Sequence, residues 1–485
     1  MGTAYLILVG IAAIALLLFL VMAFKWPAYI ALVAVSVVAA VAAGMPLDEV
    51  IPTVIAGMGG TLGSVALLVG LGAMLGGIVE KTGGAEALAR SITRKLGEDR
   101  VVPALVIAAS LISIPIFYDV AFIILVPLIY SFGKAAGHRS PLILGLPIGP
   151  LMVYIHNTVP PHPGITAATV SLTGDVGLLM LVGLAISVPV GVVAYFLAKY
   201  LNRTVFELSP EIQEHFVHAG ADEPIAGIDQ NGGGSGGSTG SGGTAAVGAA
   251  TSTSAPTAPV RTAPGGGEVL FAILLPVAMI AVGTIGNLLF EDGSAEARAT
   301  AFIGAPAFAL LVACVLSYYL LGVRHHWSAG EVTEIMEGAL GPAAVVIFVT
   351  GAGGVLAKVL TESGIGDALA NSLLQTGIPI IVLAFLLSAA FKVSQGSGTV
   401  ASQTTAALLA STIIGGDYSA IQIVLILVAI GCGANSLTHV NDSAFWITTK
   451  YLGLSVADGF KTWSLMGLVL ALTGFAMSCL LWLIV

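Results

Sequence analysis

The chain has 485 residues, 57% of them hydrophobic and 9% charged, with a formal net charge of −9. A soluble domain carries about 25% charged residues, so this chain lacks the polar surface to cover itself in water. Soluble enzymes and disulfide scaffolds are excluded as readings of the whole chain, and with 17 Lys and Arg there is no basic face for nucleic acid.

Apolar runs of about 20 residues recur along the chain, enough to cross roughly 30 Å of hydrocarbon as helices. They are continuous and not alternating, which predicts an all-α polytopic membrane protein instead of a barrel. Spans are expected near residues 3–24, 27–45, 56–80, 141–158, 176–199, 269–290, 299–322, 338–360, 419–438 and 462–484. The first lacks a charged start and a small-residue cleavage site, and reads as a retained span. Two further stretches, 101–132 and 378–413, are each long enough for two short segments but carry polar or Pro/Gly interruptions. Cys314, Cys432 and Cys479 lie inside apolar runs with no metal spacing. Residues 204–268 are acidic, then rich in Gly, Ser, Thr, Pro and Ala, and are expected to form a flexible cytoplasmic linker. The linker divides a first membrane repeat (1–203) from a second (269–485).

Charge orients the spans. With the N-terminus outside and each interrupted stretch a re-entrant hairpin, Lys25, Lys81, Arg90, Arg94, Lys95, Arg100, Lys134, Arg139, Lys199, Arg203, Arg261, Arg324, Lys450 and Lys461 fall inside. Only Arg298 falls in an outside loop, which is a strong positive-inside bias. Two full crossings per interrupted stretch would leave the same sidedness, so charge does not separate hairpins from fourteen spans.

Shifting the chain by 281 residues aligns 56–92 with 337–373 without a gap, with 11 identities in 37 positions. They include Gly57/Gly338, Gly70/Gly351, Gly72/Gly353 and Gly83/Gly364, beside a charged Glu86/Asp367 pair. The same offset sets Ser113 against Ser394, and two residues of slippage set His156 against His439. In the topology above, the two copies are inverted, each with about five spans and one hairpin. Inverted repeats with interrupted segments meeting at mid-membrane are a secondary-transporter design, from which alternating access follows.

Four places put polar residues at membrane depth, where each needs a partner or a purpose. They are Ser113–Asp119, His156–Gly164, Lys392–Thr399 and Asn435–Ser443. Pro115 and the prolines at 160, 161 and 163 break helices, and the glycines at 396 and 398 allow close backbone approach. Lys392, hydroxyls, amides and half-helix N-termini suit a hydroxylated carboxylate. Ser113, His156, Lys392, Ser394, Ser397, Thr399, Asn435, His439 and Asn441 are the candidate substrate ligands, and Asp119 and Asp442 the candidate proton carriers. Each has a plainer reading: Asp119 as a helix cap, the histidines as interface residues, Lys392 as a snorkelling cation. Na⁺ held by carbonyls and hydroxyls is the alternative coupling ion. Two rivals of another class stand beside the carrier. One is a channel; the other is a membrane-embedded hydrolase with His156, His162, His439 and Asp442 as metal ligands, lacking any HExxH-like pair.

At these same sites the chain resembles the gluconate permease family of the ion-transporter superfamily. Pro115-Ile-Phe-Tyr-Asp119-Val-Ala-Phe, Pro160-Pro-His-Pro-Gly164, Gly396-Ser-Gly-Thr-Val-Ala401 and Asn441-Asp-Ser-Ala-Phe-Trp446 carry the resemblance, with Gly398 and Ala444 where the family has Ala and Leu. It covers nearly the whole chain outside 204–268. It implies proton-coupled uptake of gluconate or a related sugar acid through the inner membrane, other members carrying small hydroxy acids or D-serine. The expected partners are a small anionic sugar acid, protons and the lipid bilayer, with a homodimer left open and no cofactor.

Overall fold

The computed structural model describes residues 2–24, 26–97, 100–218, 262–291, 293–366, 368, 372, 377–439 and 442–485. These residues are helical throughout, with no strand among them. Before the linker come α1 (Thr3–Met22), α2 (Ala28–Ala42), α3 (Leu47–Lys81), α4 (Gly84–Leu96), α5 (Val101–Ile112), α6 (Tyr118–Ala135), α7 (Leu142–Thr158), α8 (Pro163–Ser171), α9 (Val176–Leu201) and α10 (Pro210–His218). After it come α11 (Gly266–Leu289), α12 (Ala295–Gly304), α13 (Pro306–Ser317), α14 (Ala329–Gly338), α15 (Leu340–Glu362), α16 (Ile380–Gln395), α17 (Gly398–Ile414), α18 (Ala420–Asn435), α19 (Ser443–Tyr451) and α20 (Val456–Trp482). Seven helical stretches among the described residues are long and apolar enough to cross a membrane. Leu8, Ile55, Val188, Phe196 and Leu480 point outward, as a lipid-facing surface requires.

Local chemistry sets the helix ends. Pro46, Pro141 and Pro379 precede α3, α7 and α16, and Pro163 and Pro306 open α8 and α13, where a missing N–H costs nothing. Asp175, Ser294 and Ser419 cap α9, α12 and α18 by accepting backbone N–H groups.

The repeat-bearing helices α3 and α15 pack on each other. A Cβ on Gly57 would lie 2.8 Å from the Gly354 oxygen and 2.9 Å from the Val355 Cα, so the backbones approach as closely as glycine permits. At the outer end of this contact, Lys358 Nζ pairs with Glu362 at 2.8 Å, and Thr53 donates to the same carboxylate at 2.9 Å.

Both interrupted stretches form two helices joined by a tight tip. The start of α5 (Val101, Val102, Pro103) and the end of α6 (Phe132, Ala135, Ala136) line one cavity with Arg90, Arg94 and Lys199. The two arms therefore return to the same end of the molecule, which is hairpin geometry. In the second stretch, α16 and α17 also pack side by side, and α16 runs along α18.

Two sequence expectations change. The span expected at 299–322 is divided, because Ala305 is extended before Pro306 and cannot stay helical; α12 folds back on α11 with Gly304 against Gly283. The segment expected to be flexible from 204 starts out folded. Ser209 N–H donates to the Gly453 carbonyl at 2.9 Å, and Phe216 of α10 is buried edge-on against Tyr130. Residues 219–261 of that segment, and Asp367, Leu369 and Ala370 of the repeat alignment, lie outside the described residues.

The α3–α15 contact makes a controlled prediction. Gly57→Ala is expected to destabilise the protein by about 1–3 kcal/mol, since backbone must shift to admit the methyl group. Gly59→Ala, with nothing within 4 Å of its Cβ, is expected to be neutral or slightly stabilising. Thermal denaturation midpoints of the two variants in detergent check this.

Candidate functional site

The first hairpin tip runs from Ser113, the C-cap of α5, to Tyr118 at the start of α6. Its backbone rests on α3, where a side chain in place of Gly76 would collide with the Pro115 carbonyl. The second tip is tighter. Gly396 has φ +78° and ends α16, and Ser397 immediately caps α17 by accepting the Val400 N–H at 3.3 Å. Only a residue free to adopt a left-handed conformation permits so short a reversal.

The two helix breaks arise differently. After α7, Val159 is extended, Pro160 and Pro161 follow, and α8 begins at Pro163 with His162 as its N-cap. After α18, Ser436 is extended, and α19 restarts with Asp442 as N-cap, its Oδ1 accepting the Ala444 N–H at 3.1 Å.

Tips and breaks meet. A Cβ on Gly164 at the start of α8 would lie 2.7 Å from the Thr399 Cα at the start of α17, and Gly398 abuts Asn157. On the other side Tyr118, at the start of α6, hydrogen-bonds Thr448 of α19. Between these contacts lies a cavity of about 410 Å³, within the usual range for a small-molecule site. It draws Phe117, Tyr118 and Asp119 from the first tip and His156, Asn157 and His162 from the first break. Lys392, Gly396, Ser397, Gly398 and Thr399 come from the second tip, and Asp442 and Ser443 from the second break.

Lys392 is the charge centre of this cavity. Its Nζ is buried and donates to Asp442 Oδ2 at 2.6 Å and to the Gly396 carbonyl at 2.7 Å. One ammonium thus ties the second tip to the N-cap of α19. Asp119 is open to the cavity, which Asp442 also lines. His156 and His162 are in contact, tilted at 47° with ring centroids 3.8 Å apart, and the Nδ1 of each is buried without a hydrogen-bond partner.

Of the residues anticipated from sequence, His156, Lys392, Ser397, Thr399, Asp119 and Asp442 line the cavity. Ser113, Ser394, Asn435 and His439 do not. Ser113 Oγ donates to the Ser110 carbonyl and Ser394 Oγ to the Ala390 carbonyl, each at 2.8 Å, so both hydroxyls are engaged by their own helices. Asn435 donates to the Gly467 carbonyl at 3.4 Å, and His439 Nε2 faces the Val393 carbonyl at 3.0 Å. Asn441 lies outside the described residues. The hydrolase ligand set does not assemble, because His439 is turned to α16 while Asp442 is held by Lys392. Tyr118, Asn157 and His162 are cavity residues outside the expected substrate and proton set; Tyr118 and Asn157 adjoin Asp119 and His156, and His162 entered only as a ligand of the hydrolase rival.

The sequence matches the family described as GntP family permease over residues 5–225 and 244–485. The chain belongs to the GntP permease family. An "Inner membrane permease YgbN" of Escherichia coli (strain K12) is 44% identical over 485 residues, covering 100% of both chains. A "Gluconate permease" of Bacillus subtilis (strain 168) is 31% identical, covering 99% of this chain and 100% of the relative. The "Low-affinity gluconate transporter" of Escherichia coli (strain K12) is also 31% identical, covering 98% and 97%. In fold, the chain is similar to the YdaH transporter of Alcanivorax borkumensis, whose crystal structure is described as revealing an unusual topology. The TM-score is 0.53 at 16% identity, covering 90% of this chain and 89% of that one. The GntP permease described here is accordingly a multi-pass membrane transport protein, and the family is one of permeases and not of enzymes.

The touching tips make a prediction for this GntP permease. Gly164→Ala is expected to push α17 off α8 and lower transport by roughly tenfold, while the protein remains monodisperse in detergent. Uptake rates normalised to reconstituted protein check it.

Proposed function

We propose that the protein imports gluconate or a related sugar acid across the cytoplasmic membrane by proton symport. The observation that carries this reading is the convergence of two hairpin tips and two helix breaks on one polar cavity with a buried ammonium at its centre. The N-termini of α8, α17 and α19 open there, and their free N–H groups favour an anionic group. Hydroxyls and amides of Ser397, Thr399 and Asn157 suit a polyol chain. The gluconate permeases among the relatives support the substrate class, and the 44% identical relative carries no substrate in its name.

Charge favours a co-transported cation, and the carboxylates of Asp119 and Asp442 are groups that can take it up as a proton. With both acids ionised, Lys392, Asp442 and Asp119 sum to one negative charge, so an entering carboxylate raises the charge unless a proton accompanies it. We further propose that residues 1–203 and 269–485 are inverted repeats that alternate between two conformations. The same offset of 281 residues carries α5 and α6 onto α16 and α17, α7 and α8 onto α18 and α19, and α9 onto α20, within about four residues at each helix end. The contact of Gly57 with Lys358 also has its mate, shifted by one residue, in that of Gly77 with Ala339.

Purified protein in liposomes is expected to accumulate labelled gluconate under an inward proton gradient. Uptake that ignores pH and requires Na⁺ would overturn the coupling ion. Uptake of D-serine or another hydroxy acid, but not gluconate, would overturn the substrate. Asp119→Asn is expected to abolish pH-driven accumulation, with substrate exchange still measurable.

A further inference from the structure

The Lys392–Asp442 pair occupies the position a substrate carboxylate needs, and this bears on how a proton is coupled to an anion. The argument rests on the sugar-acid symport proposed above. Lys392 Nζ has three protons to donate, and two are committed to Asp442 Oδ2 and the Gly396 carbonyl. The ammonium is almost wholly buried, so it cannot gain a second anionic partner without leaving a net negative charge out of water. The carboxylate it holds is only 9% exposed at its side chain and has Asp119 of α6 as its acidic neighbour. The other titratable groups facing this point are Tyr118, bonded to Thr448, and the contacting His156 and His162.

We propose that the substrate carboxylate and Asp442 are mutually exclusive partners of Lys392, and that this exchange is the coupling step. On binding, the hydrogen bond from Lys392 Nζ to Asp442 Oδ2 breaks and one to the substrate carboxylate forms. The released Asp442 then lies beside Asp119 with no cation between them. Two neighbouring carboxylates, one of them almost wholly buried, do not both stay ionised, so the pair takes up one proton from the side open to solution. Substrate brings one negative charge and the proton one positive charge, so the occupied site has the same charge as the empty one. Transport is then electroneutral, with one proton per monoanionic sugar acid. The exchange also has a mechanical consequence. Asp442 caps α19 and Lys392 caps the turn at Gly396, so breaking the pair loosens the second tip from the second break only when substrate is present, leaving the His439–Val393 contact as their remaining link.

Proteoliposomes carrying wild type, Asp442→Asn, Lys392→Gln or the double variant separate this from a merely structural pair. The readouts are labelled gluconate exchange at varied pH, and proton uptake followed with an internal pH dye. Wild type is expected to take up one proton per gluconate, at a rate unchanged by a valinomycin-imposed K⁺ potential. Asp442→Asn, with Lys392 already free, is expected to exchange gluconate with a KM lowered roughly tenfold and with no proton uptake. Lys392→Gln is expected to raise KM roughly 10- to 100-fold, and the double variant to keep that raised KM. A pair that serves only as a latch gives the opposite pattern, with both single variants losing affinity and the double variant recovering it. That pattern, or uptake that moves net charge, overturns the proposal. Failure of the underlying reading looks different: wild type that ignores pH and follows Na⁺ contradicts proton symport whatever the variants do, whereas loss of affinity in Asp442→Asn contradicts partner exchange even in a proton-driven wild type.

Discussion

No polar group at membrane depth can be left to water, and the structure is organised around that constraint. Helix interiors satisfy it automatically. The four places where helices stop inside the bundle do not, and each is braced by a neighbouring element. The first tip rests on Gly76 of α3 and the first break on Gly72, the second tip lies against the start of α8, and Lys392 joins the second tip to the cap of α19. The breaks are costly one by one and stable only together. Their shared interior is consequently lined by polar side chains and large enough for a small molecule.

The buried ion pair is the most expensive element of that interior. Replacing such a pair by apolar residues is often neutral or stabilising, so stability alone is a weak reason to have one. A cavity with one ammonium and two nearby carboxylates has a better reason in an anion carrier. In the proposed cycle the ammonium supplies the affinity, and the second carboxylate supplies a place for the proton that keeps the charge unchanged. The same geometry explains why the tip carries Gly396 and Gly398. Gly396 turns the chain so that its own carbonyl reaches Lys392, and Gly398 admits Asn157.

Much of the helical order was legible in the sequence because it depends on local rules. Apolar run length marked the spans, Pro115 and the Pro160–Pro163 cluster marked two interruptions, and the Gly/Ser-rich tip marked a third. The division at Pro306 was missed because the run around it is apolar on both sides, and hydropathy does not register a lost N–H. The packing of α10 against Tyr130 was missed because two apolar residues in an acidic segment give no periodic signal. Within the site, residue type identified which segments matter but not which way each side chain points. Ser113 and Ser394 were chosen for their hydroxyls, yet both bond their own helix, whereas Asn157 and His162 face the cavity. The pairing of Lys392 with Asp442 spans 50 residues and depends on the second break folding back on the second tip, which no local pattern encodes.

The most direct measurement is substrate protection in a cysteine-free background, with single cysteines at Thr399 inside the cavity and at Ser394 just outside it. A water-soluble thiol reagent should label Thr399→Cys more slowly when gluconate is present and label Ser394→Cys at the same rate with or without it. Equal protection at both positions, or at neither, would contradict the assignment of this cavity as the substrate site.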